Sequence, residues 1–258
     1  MNDLSSTIAP DIAQKRFVLA TDLDGTFLGG SADDRKALYD WIEAHRDSVG
    51  LVFVTGRDPE FIVDLTGRQG VPRPDYVVGD VGTTIAQVMT DGSVAPIPAL
   101  EQDIAATWND SGDAVREALE GAPGLTLQPT AFRYRVSYDM DPDTFDKHAC
   151  EVVEDMGHDW LISANCYFDV LPKGFSKGPS LLKLIDHLGL DQQKVLAAGD
   201  TLNDLSMLEC GVPAVAVGGS EEPLLSRVRS LDHVHKASAI GAAGITEAIR
   251  AFNLHPEV

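Results

Sequence analysis

Cysteine is scarce, basic residues are scarce, and no long apolar run exists. The chain has 258 residues and three cysteines, Cys150, Cys166 and Cys210. An odd, widely spaced set excludes a disulfide framework and offers no paired zinc ligands. It implies free thiols in a reducing cytoplasm. Lys and Arg number 20 against 40 Asp and Glu, a formal charge of −20. Phosphate backbones and anionic membranes select Lys/Arg surfaces, so neither nucleic acid nor a membrane is an expected partner. No stretch approaches the ~18 apolar residues of a membrane span. The opening segment MNDLSSTIAPDIAQ has no basic region followed by an apolar one. It reads as a polar, frayed tail and not as a signal peptide. Repeats and low-complexity linkers are absent as well.

What is present is an ordinary globular composition, 44% hydrophobic and 23% charged, with enough length to bury a sizeable core. The acidity sets one condition. A phosphorylated ligand is repelled at long range, so a phosphate site here has to build its own positive field from a cation, helix N-termini and a lysine.

Apolar runs at 16–22, 51–55 and 76–78 read as buried strands, with helices over 33–46 and from Pro59 between them. Asp58 suits the N-cap of that second helix and Pro59 its first position. This β-α-β-α-β order predicts a parallel sheet covered on both faces. Thr90-Asp91-Gly92-Ser93 between 83–89 and 94–97 signals a hairpin. The rhythm then changes. A polar helix is expected over 103–121, strands near 125–127, 134–138, 160–162 and 167–170, and a helix opening at Asp141-Pro142 and closing at Gly157. From Ser176 the α/β rhythm resumes: a helix over 178–188 closed by Gly189, strands at 194–199 and 213–217, and helices over 202–209 and 240–252. The expected architecture is α/β: a doubly wound parallel-sheet core, 15–102 and 171–258, interrupted by an α+β insert, 103–170.

Four signals fall at strand ends, where open α/β sheets place ligands. Asp22 and Asp24 close the first strand. One carboxylate can attack phosphorus and bind a cation, and the other can exchange protons with the leaving oxygen and then with water. Taken alone, Asp-x-Asp-Gly suits an Asx turn equally well. Thr55-Gly56 ends the second strand with a hydroxyl and free amides, suited to phosphate oxygens. Lys177 precedes a helix and can offset the charge shared by two aspartates and a phosphate. It is preferred to Lys173 because the Gly-Pro helix start follows it directly. Asp200, Asn203 and Asp204 form a polar cluster at another strand-to-helix turn, suited to a hard cation and its surroundings.

Asp-Leu-Asp-Gly-Thr, Val-Thr-Gly-Arg, the lysine before a helix and Gly-Asp-Thr-Leu-Asn-Asp together resemble, in order, the four motifs of the haloacid-dehalogenase superfamily of phosphohydrolases. The resemblance covers nearly all the chain beyond its first ~15 residues. The insert is placed like the type IIB cap of the Cof-like sugar phosphatases. Arg133-Tyr134-Arg135-Val136-Ser137-Tyr138, Asp169-Val170-Leu171-Pro172 and Gly241-Ala242-Ala243-Gly244-Ile245 resemble the sucrose-6-phosphate phosphatase group.

The resemblance implies a Rossmann-like core and a set of roles. Asp22 is the nucleophile and Asp24 the acid and base. Thr55, Gly56, Lys177 and Asn203 hold phosphate. Asp22, Asp24 (through its backbone carbonyl), Asp200 and Asp204 hold or position Mg²⁺. Arg133, Arg135, Ser137, Asn165, Tyr167 and Asp169 are candidates to meet sugar hydroxyls, with Arg133, Arg135 and Ser137 sharing one strand face. Trp41 and Trp160 read as core, and His233/His235 lack the partners of a metal pair. The implied activity is hydrolysis of a sugar phosphate, sucrose 6-phosphate or a related disaccharide or glycoside. A phosphohexomutase, a general Cof-like phosphatase and a non-catalytic docking module remain open. So does a partnership with a glycosyltransferase or sugar-phosphate synthase.

Overall fold

A computed structural model describes residues 12–67 and 70–258. In chain order the first elements are β1 (Phe17–Thr21), α1 (Ala32–Ala44), β2 (Val49–Val54), α2 (Pro59–Thr66), β3 (Tyr76–Gly79), β4 (Thr84–Val88) and β5 (Val94–Pro96). Next come α3 (Pro98–Trp108), α4 (Gly112–Ala118), β6 (Leu125–Leu127), β7 (Val136–Met140), α5 (His148–Asp155), β8 (Asp159–Ser163) and β9 (Tyr167–Leu171). The chain ends with α6 (Lys177–Leu188), β10 (Val195–Gly199), α7 (Leu205–Leu208), β11 (Ala214–Gly218), α8 (Glu222–Val228), β12 (Val234–Ile240) and α9 (Ala242–Ala251).

Two sheets result. The larger runs β12-β11-β10-β1-β2-β3-β4-β5 and the smaller β6-β7-β9-β8. From β12 to β3 neighbouring strands are parallel, and the β4–β5 hairpin is antiparallel. Every residue of β1 is buried, so alternation along it divides between two apolar layers. Val18 and Ala20 share an apolar layer with α3, α6, α7 and α8, which contribute Ile104, Leu184, Leu208 and Leu224. Phe17 and Leu19 share the other layer with α1, α2 and α9, which contribute Leu38, Ile62 and Ile249. This is the doubly wound α/β arrangement expected. The smaller sheet has its own core around Val136, Val153, Phe168 and Val170. Residue 103, where the insert was expected to begin, lies inside α3. That helix places Leu100 and Ile104 in the large core and Trp108 in the small one.

Several expected elements are corrected. Residues 1–11 of the expected tail lie outside the described residues, but Ile12–Gln14 form a 3-10 turn and Ile12 is buried. The helix over 103–121 is divided because Asn109 and Asp110 take positive φ, 49° and 58°. Asp141 closes an Asx turn, accepting from Asp143 N at 3.1 Å and Thr144 Oγ1 at 2.8 Å, so α5 starts later, at His148. The helix over 202–209 is a 3-10 turn at Leu202–Asp204 followed by the short α7. At the end of the chain, Gly241 at φ 55° separates an edge strand from α9.

β12 has no apolar run because it is an edge strand with alternating exposure. Glu247 on α9 fastens it by accepting from the amides of Ser238 and Ala239 and from His235. These bonds, the Ala239 amide foremost and His235 next, pull the Glu247 carboxyl down to about 2. The resulting stabilisation is complete above the ordinary Glu range and lost as pH falls toward 2. Glu247→Gln is expected to cost about 1 kcal/mol at pH 7, discounted for partial exposure, and nothing at pH 2. Chemical denaturation at the two pH values checks this.

Candidate active site

Parallel strands bring their carboxyl ends to one edge. Thr21 pairs with Phe53 on β2 and Ala198 on β10, so Asp22, Thr55 and Asp200 leave the sheet side by side. Asp22 N still donates to Ala198 O at 2.8 Å, and Thr55 N to Val78 O at 2.8 Å. After Asp22 the chain makes a tight turn with Gly25 at φ 83°. A Cβ at Gly25 would lie 2.1 Å from Asp200 Oδ2, so only glycine allows the turn to approach that carboxylate. Thr26 Oγ1 then donates to Asp200 Oδ1 at 2.7 Å.

Lys177, at the first turn of α6, is 1% exposed. Its ammonium donates to Asp22 Oδ1 at 2.7 Å, Asp204 Oδ1 at 2.7 Å and Asn203 Oδ1 at 2.9 Å. Its three protons thus have three acceptors, whereas Lys173 is exposed. Asp204 is fully buried. Its Oδ2 accepts from the amides of Asp200 at 3.0 Å and Thr201 at 3.1 Å, which pins the turn after β10.

The charges do not balance. Ligand atoms of Asp22, Asp200 and Asp204 lie within 4.8 Å of one another, and one ammonium faces three carboxylates. Burial raises the Asp22 carboxyl to about 7; Lys177 opposes the rise and Asp204 and Asp200 add to it. Burial also raises Asp200, to about 6, against the Thr26 hydrogen bond. Lys177 is held well above its ordinary range: burial pulls it down, and Asp204 and Asp22 more than reverse that. The residual negative charge and the all-oxygen donor set fit a hard dication.

Asp24 points elsewhere. Its carboxylate pairs with Arg57, Nε at 3.0 Å and Nη2 at 3.3 Å, and the guanidinium rests on the Phe61 ring at 4.7 Å. Thr55 is buried and its Oγ1 accepts from Arg57 N at 3.2 Å.

Above these groups lies a cleft of about 460 Å³ between the two sheets. Asp22, Asp24, Thr55, Gly56 and Asn203 form its floor, and Arg135, Tyr167 and Asp169 are in its wall. Arg133, Ser137 and Asn165 are not among its lining residues. Arg133 and Arg135 both precede β7, but Arg133 turns to Glu101 and Thr84, away from Arg135 and Ser137. Those two converge on Asp169 Oδ1. Asn165 sits in the β8–β9 turn at φ 52°. Trp41 and Trp160 are also outside the cleft lining. His235 bonds Glu247, and His233 bonds Leu208 O.

The cleft lining also takes in Arg57, Val81, Gln128, Leu161, Ser163, Ala164 and Thr201, none of them a candidate from the sequence. Arg57 follows Gly56 directly, so the Val-Thr-Gly-Arg motif carried its signal. Gln128, at the end of β6, had none, because its place depends on strand pairing across the insert.

Known proteins resemble this chain in sequence and in fold. A family model described as sucrose-6F-phosphate phosphohydrolase matches residues 15–253. Over 237 residues the chain is 43% identical to a glucosylglycerol-phosphate synthase of Pseudomonas anguilliseptica; the match takes in 91% of this chain and spans 30% of the length of that protein. Over 249 residues it is 27% identical to a mannosylfructose-phosphate phosphatase of Agrobacterium fabrum, covering 93% of this chain and 98% of that one. In three dimensions it is similar to the sucrose-phosphatase of Synechocystis, solved in complex with sucrose and phosphate. The TM-score is 0.84 at 23% identity, over 93% of this chain and 98% of that chain.

Proposed function

Because the chain belongs to the sucrose-6F-phosphate phosphohydrolase family, and is thereby a phosphoric monoester hydrolase with a haloacid-dehalogenase fold, we propose that it releases phosphate from a phosphorylated glycoside through an aspartyl-phosphate. The observation that carries this reading is the buried knot of Lys177 with Asp22, Asn203 and Asp204 beneath an open cleft. Such a knot fixes a carboxylate and offsets charge at one point, which is most of what phosphoryl transfer requires.

Lys177 holds Asp22 Oδ1, which leaves Oδ2 to attack phosphorus in line. The bond from phosphorus to the glycoside oxygen breaks, and Asp24 gives that oxygen its proton. Asp24 then takes a proton from the water that attacks the aspartyl-phosphate, and inorganic phosphate leaves. The Thr55 hydroxyl and the Gly56 amide bind the phosphoryl oxygens, and residues 103–170 act as the cap that chooses the sugar. Asp22, Asp200 and the Asp24 carbonyl would hold Mg²⁺, with Asp204 and Asn203 positioning them. When bound, the ion supplies neutralisation of charge on the transferred group.

Among the described residues of the cleft wall, the cations are Arg57 and Arg135. Asp24 occupies the first, and Asp169 with Asp80 the second. A second phosphate would meet no free cation, which argues against a phosphohexomutase and for a neutral glycoside. The 43% identity to part of a glucosylglycerol-phosphate synthase favours a glycosylglycerol phosphate, with sucrose 6-phosphate next. A phosphate-release screen tests the reading, covering these two, trehalose 6-phosphate, glycosylglycerate phosphates and hexose phosphates. One of the first two should lead. A flat profile would instead indicate a general Cof-like phosphatase, and conversion of a hexose phosphate to its isomer would overturn hydrolysis.

Metal dependence carries a pH signature. Without the ion, Asp22 and Asp200 stay protonated to about 7 and about 6. They contribute stability that is complete below their unfolded value of 3.8 and lost as pH rises through 6 to 7. Mg²⁺ needs both ionised and therefore competes with protons. A hundredfold excess over Kd is expected to add about 2.7 kcal/mol at pH 8 and far less at pH 5. Thermal melts with and without MgCl₂ at the two pH values read this directly, and an equal shift at both would refute it.

A further inference from the structure

Arg135 immediately precedes the strand β7, and its side chain reaches from the small sheet to the loops at the edge of the large one. Nη1 donates to Asp169 Oδ1 at 3.2 Å. Nη2 donates to Gly56 O at 3.4 Å and stands 3.7 Å from Asp80 Oδ1. The Phe132 ring covers one face of the guanidinium at 3.6 Å. Arg135 Nε and Asp80 Oδ1 are both buried and both lack a hydrogen-bond partner. A sugar hydroxyl cannot reach a buried Nε, so the side chain is not simply a wall donor. The unmet donor and the unmet acceptor belong to the same pair of residues.

Asp80 is also not an ordinary partner. It opens the turn Asp80-Val81-Gly82, in which Asp80 and Val81 take φ 51° and 60°. Positive φ at a β-branched residue is strained and persists only when its surroundings impose it. Here the surroundings are the reacting parts. Asp80 N donates to Arg57 O at 3.0 Å and Val81 N to Thr55 O at 3.1 Å, so the turn buttresses the phosphate loop. On its other side, a Cβ at Gly82 would lie 2.4 Å from Ser176 C, and Gly82 O accepts from Ser180 Oγ at 2.7 Å. The same turn therefore rests on the helix start that carries Lys177.

We propose that Arg135 is a positioning residue that latches the insert to the Asp80–Gly82 turn, and that closing its gap to Asp80 sets the phosphate loop for turnover. At 3.7 Å the two are an ion pair without a hydrogen bond, and a shift of under about 1 Å reaches hydrogen-bond length. A cation buried between a carboxylate of the small sheet and one on the turn after β3 transmits such a shift strongly, because little water screens it. The proposal rests on the phosphatase reading, so its test separates the two.

The test compares Arg135→Gln, Arg135→Lys, Asp80→Asn and the double variant R135Q/D80N. Each is assayed on the best glycoside phosphate and on p-nitrophenyl phosphate, which carries no sugar. The latch predicts that Arg135→Gln loses kcat on both substrates, roughly tenfold or more. Arg135→Lys should recover part of it, and the double variant should be no worse than the worse single one. Inorganic phosphate with MgCl₂ should also raise Tm less in Arg135→Gln than in the parent chain. A loss confined to the glycoside would make Arg135 a sugar ligand and overturn the latch. So would additive losses, or a lower Tm with unchanged kcat. If the parent chain hydrolyses neither substrate, the phosphatase reading fails. The phosphate-induced Tm shift still decides the latch, which equal shifts would refute.

Discussion

Asp22→Asn is expected to abolish turnover, by on the order of 10⁴-fold or more in kcat, while leaving the fold intact. The amide cannot form the acyl-phosphate. It still offers an oxygen to Lys177, whose bonds to Asn203 and Asp204 are untouched. The carboxyl that it replaces is disfavoured as an ion where it stands, since burial and its acidic neighbours raise it to about 7. Metal-free Asp22→Asn should therefore melt no lower than the parent chain at pH 8, and higher if the relief of repulsion outweighs one weakened hydrogen bond. The two readouts together isolate the chemistry. Activity within tenfold of the parent, on protein with an unchanged Tm, would end the aspartyl-phosphate mechanism.

Lys177→Met is expected to be the most destabilising substitution in the site. The methionine fills the aliphatic volume but removes the cation facing Asp22 and Asp204, which are 9% and 0% exposed at their side chains. Breaking a buried pair from one side costs about 3–5 kcal/mol, because the remaining charge has neither water nor a partner. For a chain of this size that is a fall in Tm of roughly 10 °C. The loss should depend on pH in a definite direction. Without the ammonium, Asp22 takes up a proton more readily still, so the penalty shrinks at pH 6 and grows at pH 8. Thermal melts at both pH values check it, and a penalty equal at both would show that packing, not charge, is what Lys177 supplies.

These expectations rest on groups far apart in the chain. Lys177 lies 155 residues from Asp22 and 27 from Asp204. Each was nevertheless legible, because each sits where an apolar strand or a helix start meets a polar cluster. A buried strand that ends on acids gains no stability from them, so the acids stand out locally.

The insert was legible in outline only. Its strands could be listed from apolar alternation, but alternation alone placed Arg133, Arg135 and Ser137 on one face. In the fold Arg133 lies before β7 and turns to Glu101. Arg135 crosses to Asp169, Gly56 and Asp80. The helix start at Asp141-Pro142 failed for a similar reason. An Asp that caps a helix and an Asp that closes an Asx turn use the same side chain, and the choice depends on what the following residues pack against.

By itself, then, the sequence determined a parallel-sheet core covered on both faces and the four polar clusters at its strand ends and at one helix start. Buried parallel strands need continuous apolar runs, and their carboxyl ends must carry whatever reacts. Only the tertiary structure decided which carboxylates share the ammonium, that Asp24 faces Arg57, where the edge strand β12 lies, and that Arg135 joins the two sheets. Those outcomes depend on register between distant segments and on the water excluded around each charge, and neither quantity is local to any stretch of the chain.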